Sequence, residues 1–66
     1  MENKKSLTAI TILEKLKKYY NVKTATEVSL KLGISQPSIS KAIKNDNVKY
    51  LLKKIREVGI FNEIMN

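Results

Sequence analysis

The sequence predicts an all-α fold of four to five short helices, on three observations. Apolar residues recur at three- and four-residue spacing through each long segment, as one face of an α-helix requires. Ser, Thr, Asp or Asn stands ahead of those segments, and the two glycines, Gly33 and Gly59, follow two of them. No stretch alternates apolar and polar residues with period two, and no Asn-Gly or Asp-Gly hairpin turn occurs. Sixty-six residues make a single domain. A chain that short buries only about 60% of the surface its unfolded form exposes, so every core side chain matters.

The first helix is expected to begin near Ser6 or Thr8, either of which can cap it, and to run to about Tyr19. Ile12, Leu13, Leu16 and Tyr20 form its buried stripe, and Glu14, Lys15, Lys17 and Lys18 face outward. Leu7 and Ile10 fall partly off that stripe, where they either extend the core or sit exposed. Residues 20–23 connect to a second helix that starts at Thr24. Thr24 with Glu27 three residues later is a capping box, in which each side chain takes the other residue's backbone amide. Ala25, Val28, Ser29 and Leu32 make the inner face, and Gly33 supplies the left-handed residue that ends the helix where the chain reverses.

Ile34 plugs the corner and Ser35 caps the third helix, with Gln36 and Pro37 in its first turn, where proline removes no intrahelical hydrogen bond. That helix is expected to reach about Lys44. Asn45-Asp46-Asn47 is a polar turn in which Asp46 or Asn47 caps a fourth helix, with Leu51, Leu52, Ile55 and Val58 inward and Lys49, Lys53, Lys54 and Arg56 outward. Gly59 stops it. Ile60, Phe61, Ile64 and Met65 form an apolar tail that makes a last helical turn opened by Asn62.

Thirteen Lys and Arg against six Asp and Glu leave a net charge of +7, a bias towards a polyanionic partner. The absence of Cys and His rules out a disulfide scaffold and a Cys/His zinc site, and no cofactor or metal is expected. An enzyme is not expected either. The usual nucleophile–base pairs are missing, the carboxylates are scattered on outward faces, and there is no glycine-rich phosphate loop. No apolar run approaches the roughly 18–20 residues that span a bilayer. Thr8, Thr11 and Glu14 interrupt any signal core behind Met1–Lys5, so the expected location is the cytoplasm.

Residues 24–44 read as two short helices joined by a tight turn, the second presenting Gln36, Ser38, Ser40, Lys41 and Lys44 on its outer face. The run Leu32-Gly33-Ile34-Ser35-Gln36-Pro37-Ser38-Ile39-Ser40-Lys41-Ala42-Ile43 resembles the helix-turn-helix of the phage Cro and CI-type repressors, the lambda-repressor-like domains. Ile12-Leu13-Glu14-Lys15-Leu16 resembles their first helix, and Leu51-Leu52-Lys53-Lys54-Ile55 with Gly59-Ile60 resembles their fourth helix and its exit. The likeness extends over about Ile12 to Met65. Two positions depart from it. Ser29 stands where the family usually has Ala, so its hydroxyl needs a backbone carbonyl. Pro37 stands where a small polar residue is common, so a polar base contact there is replaced at most by apolar contact with a thymine methyl.

The resemblance implies a sequence-specific regulator that binds double-stranded DNA through the major groove, as a homodimer on a palindromic operator, and excludes RNA polymerase. Gln36, Pro37, Ser38, Ser40 and Lys41 are the base-reading candidates. Gln pairs bidentately with adenine and Lys donates to guanine or reaches a phosphate. Thr24, Thr26, Ser35, Lys44, Asn45, Asn47 and Lys49 are the phosphate candidates, because hydroxyls, amides and lysines near helix ends suit that task. Leu7, Ile60, Phe61, Ile64 and Met65 either seal the core or, for the C-terminal four, form the dimer interface. Two rivals remain: an antitoxin-type autorepressor with the same fold, and a basic amphipathic protein that binds a membrane surface or partner helix. The second leaves Gly33, the caps and the Ser/Gln face unexplained.

Overall fold

Each of the first four helices begins where a side chain can take up an amide that the helix itself leaves without a partner. In the computed structural model, which describes residues 7–65, these are α1 (Ala9–Tyr20), α2 (Ala25–Leu32), α3 (Gln36–Lys44) and α4 (Val48–Val58), followed by α5 (Phe61–Met65). Thr8 accepts from the Thr11 amide, Thr24 from Glu27, Ser35 from Ser38 and Asn47 from Tyr50. Between the two candidates for the α4 cap, Asn47 takes the role. Asn21, Gly33 and Gly59 close α1, α2 and α4 with φ of 58°, 73° and 82°, turning the last amides back onto exposed carbonyls. The described residues are thus all-helical, with short connections and no strand.

The core is drawn from every helix: Ala9, Ile12, Leu13 and Leu16, then Val28 and Leu32, Ile39 and Ala42, Leu51 and Ile55, and Ile64. The fully buried Ile and Leu side chains among these each contribute about 1.5–3 kcal/mol relative to exposure. α2 and α3 pack closely, and Ser29 on α2 is buried at 1% exposure. Its hydroxyl donates to the Thr26 carbonyl at 2.6 Å, which supplies the acceptor that a buried serine needs.

Several expectations are corrected. Tyr20 is half-buried rather than part of the sealed stripe, and Ala9 takes up core space at the start of α1. Ile10 is exposed, which settles one of the two residues off the stripe; Leu7 is half-buried against the core. Val58 is 40% exposed although it lies on the α4 stripe. The last helix opens at Phe61, one residue before Asn62. Ser6 lies outside the described residues.

Asp46 has a role that local sequence does not reveal. It adopts φ 52°, and its Oδ1 accepts the Ala9 amide at 2.7 Å, across 37 residues. A carboxylate therefore sits on the first turn of α1, where it takes up an orphan amide and meets the positive end of the helix dipole. Replacing Asp46 by Ala is expected to lower stability by about 1–2 kcal/mol, the value of a charge-assisted hydrogen bond discounted for the solvent around this exposed residue. Asp46→Asn should lose less than half as much, since Asn keeps an oxygen acceptor and tolerates positive φ. Urea unfolding of the two variants checks this, and equal losses would contradict it.

Candidate nucleic-acid interface

α3 is held by its inner face. Ile39 is fully buried and Ala42 nearly so, with Ile43 half-buried beside them. At 100° per residue, Gln36, Ser40, Lys44, Pro37 and Lys41 then fall within an arc of about 140° on the opposite side. All five are exposed, and Ser38 stands half-buried at the edge. The helix carries no acidic residue. The ion pairs among the described residues, Glu14–Lys17 at 3.6 Å and Lys54–Glu57 at 3.3 Å, lie on α1 and α4. The base-reading candidates thus share one cationic, polar surface.

Hydrogen bonds within the first turn order that surface. Ser35 Oγ accepts the Ser38 amide at 3.2 Å and lies 2.7 Å from Ser38 Oγ. Gln36 Nε2 donates to Ser40 Oγ at 3.0 Å. Pro37, at the start of α3, presents only its ring.

The phosphate candidates divide into two groups. Asn45 and Asn47 meet Ser38, Lys41 and Ala42 around a shallow cleft of about 250 Å³ between α3 and α4. Tyr50, which the sequence reading passed over, forms the far wall. It is half-buried, with Lys54 Nζ 5.7 Å from its ring centroid. An aromatic with a polar tip, three residues behind the Asn47 cap and flanked by Lys49 and Lys53 on α4, is the signal that could have found it. A phosphate in this cleft would meet the Lys41 ammonium, the Asn45 and Asn47 amides and the Tyr50 hydroxyl. Lys44 and Lys49 are exposed on α3 and α4.

At the start of α2 the arrangement is less favourable to an anion. Thr24 Oγ1 accepts the Glu27 amide at 3.2 Å and donates to Glu27 Oε1 at 3.0 Å, so its hydroxyl hydrogen is taken. Ser35 and Asn47 are likewise engaged as caps, but through their oxygens: the Asn47 Nδ2 amide keeps its donors for the cleft, and the Ser35 hydroxyl is shared with Ser38. The exposed Thr26 hydroxyl makes no hydrogen bond among the described residues and is the better phosphate contact there. The Glu27 carboxylate also accepts the Lys23 and Thr24 amides, each at 3.2 Å. These donors, the Lys23 amide first and the Thr24 hydroxyl next, hold its pKa below the ordinary value of 4.5. A depressed folded-state pKa means stability that is present above the unfolded pKa and lost as pH falls through the folded one. Wild type should therefore melt above Glu27→Gln at neutral pH, and the gap should close as the pH falls below the ordinary carboxylate range. A gap that widens in acid would contradict the assignment.

The C-terminal apolar group divides as well. Ile64, expected at a subunit interface, is 3% exposed within one chain and belongs to the core. Ile60, Phe61 and Met65 are half-buried against that core, and the Arg56 guanidinium lies 4.4 Å from the Phe61 ring centroid. With Ile64 withdrawn, the surface left for a partner is Ile60, Phe61, Met65 and the exposed Val58. No group of three or more acidic, Cys or His side chains able to hold a metal ion occurs among the described residues. No helix there is long and apolar enough to cross a membrane. Comparison with protein-family models, curated proteins and solved structures finds no match to this chain.

Proposed function

We propose that this chain is a sequence-specific, double-stranded DNA-binding transcriptional regulator of the phage Cro/CI repressor type, acting as a homodimer on a palindromic operator in the bacterial cytoplasm. The observation that carries the reading is α3. Its inner face is anchored by Ile39 and Ala42, and its outer face is an exposed arc of Gln36, Ser40, Lys44 and Lys41, interrupted only by the Pro37 ring and carrying no acid. A helix of that width and chemistry suits the major groove, where side chains of its first turns reach base edges. Gln36 and Lys41 read bases, Ser40 and Ser38 support them, and Pro37 offers apolar contact. Lys44, Lys49, Thr26 and the α3–α4 cleft hold the flanking phosphates, which position the helix without reading sequence. The half-buried Ile60, Phe61 and Met65 supply the contact between copies, which sets two recognition helices about one DNA turn apart. Repression follows by occupation of the promoter.

The test is selection of bound duplexes from random DNA, followed by a salt titration on the selected site. A symmetric site is expected, and the log–log slope of affinity against salt should be about −5 if a dimer engages three lysines per protomer. Equal binding to all duplexes, or a flat salt response, would contradict the reading. Preferential binding to acidic lipid vesicles over DNA would favour the amphipathic rival.

A further inference from the structure

We propose that Ser40 is a positioning residue for Gln36, fixing the orientation in which the Gln36 amide meets a base; the role rests on the DNA-reading surface assigned to α3.

Ser40 lies one turn behind Gln36 on the same line of the helix surface, and its Oγ accepts from Gln36 Nε2 at 3.0 Å. Neither side chain is needed to finish the helix start. Ser35 already takes the Ser38 amide, and its hydroxyl pairs with Ser38 rather than with Gln36. The Gln36–Ser40 bond therefore does something other than cap.

The chemistry of the amide states what it does. A glutamine amide has two N–H donors and one carbonyl acceptor in a single plane. With one N–H held by Ser40, the other N–H and Oε1 remain, and the rotation that would exchange them is opposed. A donor and an acceptor side by side, in fixed order, match the N7 and N6 edge of adenine. Guanine presents two acceptors at the same place, so the fixed Oε1 would face another oxygen. An amide free to turn would discriminate less, because it can withdraw its carbonyl and offer only N–H groups. Ser40 keeps its own hydroxyl hydrogen, so the role does not depend on Ser40 touching DNA.

The experiment compares base preference at every operator position, by competitive binding of duplex libraries, for wild type, Gln36→Ala, Ser40→Ala and Ser40→Thr. Both positions are exposed, and far-UV circular dichroism checks that helicity is retained. Gln36→Ala identifies the base pair that Gln36 reads, by removing roughly tenfold or more of preference there. Ser40→Ala is expected to lose about threefold or more of preference at that same base pair, while the salt slope and the preferences elsewhere hold. Ser40→Thr, which keeps the hydroxyl acceptor, should restore it. Full preference at the Gln36 position in Ser40→Ala overturns the role, as does a change confined to a different base pair, which would make Ser40 a direct reader. If wild type binds no DNA, or no preference responds to Gln36→Ala, the reading of α3 falls and this role with it. That outcome is distinct from the first two, in which Gln36 reads a base and Ser40 does not steer it.

Discussion

Replacing Gln36 and Lys41 together by alanine is expected to weaken binding to a selected operator by about a thousandfold or more, since a dimer loses the contacts in both half-sites, while binding to unrelated duplex falls far less. Each good base contact is worth about 1–3 kcal/mol of discrimination, and the two side chains stand at the two edges of one exposed arc. Only Lys41 carries charge, so the salt slope should decrease by about one unit per protomer. Both residues point away from the core, so far-UV circular dichroism and the melting temperature should be nearly unchanged. Gel shift with the selected site reads the first effect, and the same assay with scrambled DNA reads the second. Unchanged affinity in a folded double variant would mean that α3 presents the wrong surface.

Ile39→Ala should have the largest effect on stability. Ile39 is fully buried and is the largest apolar anchor by which α3 is held. Cutting such a side chain back to Ala costs about 2–5 kcal/mol through lost burial and the cavity left behind. A domain of this size has a total stability of only about 3–10 kcal/mol, so the variant should be substantially unfolded near 37 °C, and its DNA binding should fail through loss of fold rather than loss of contact. Ile39→Val should retain most stability, at a cost of about 0.5–1.5 kcal/mol. Urea unfolding separates the two. A stable Ile39→Ala chain would show that α3 is held by something other than its inner face, and the geometry of the outer arc would then need a different basis.

These two experiments interrogate the opposite faces of one nine-residue helix, and both faces were legible beforehand. The period of 3.6 residues assigns Ile39 and Ala42 to one side and Gln36, Ser40 and Lys41 to the other, with no knowledge of what lies across from them. The caps were legible for the same reason. Thr24 with Glu27, Ser35 with Ser38, and Gly33 at φ 73° are contacts or torsions within a few residues. A side chain that reaches only its own helix start is decided by local sequence.

What failed did so at contacts that no local pattern encodes. Asp46 was a candidate cap for the helix that follows it, and it instead holds the amide of Ala9. Val58 follows the α4 period faithfully and is still exposed, because periodicity continues to the last turn whether or not a neighbour is present. Ile64 sits in an apolar tail that reads equally well as seal or interface, and its burial against the other helices withdraws it from any interface. Tyr50 gained a place at the candidate site only because α3 and α4 meet across the cleft it lines.

The sequence by itself therefore determined the helices, their starts and stops, and the two faces of α3, because each rests on spacing or on hydrogen bonds spanning three or four residues. Only the tertiary structure decided which apolar ends are core, which carboxylate steadies α1, and which residues share the α3–α4 cleft with Lys41. Those depend on where separate helices come to rest, and the free energy that sets this is summed over the whole packed core rather than carried by any one segment.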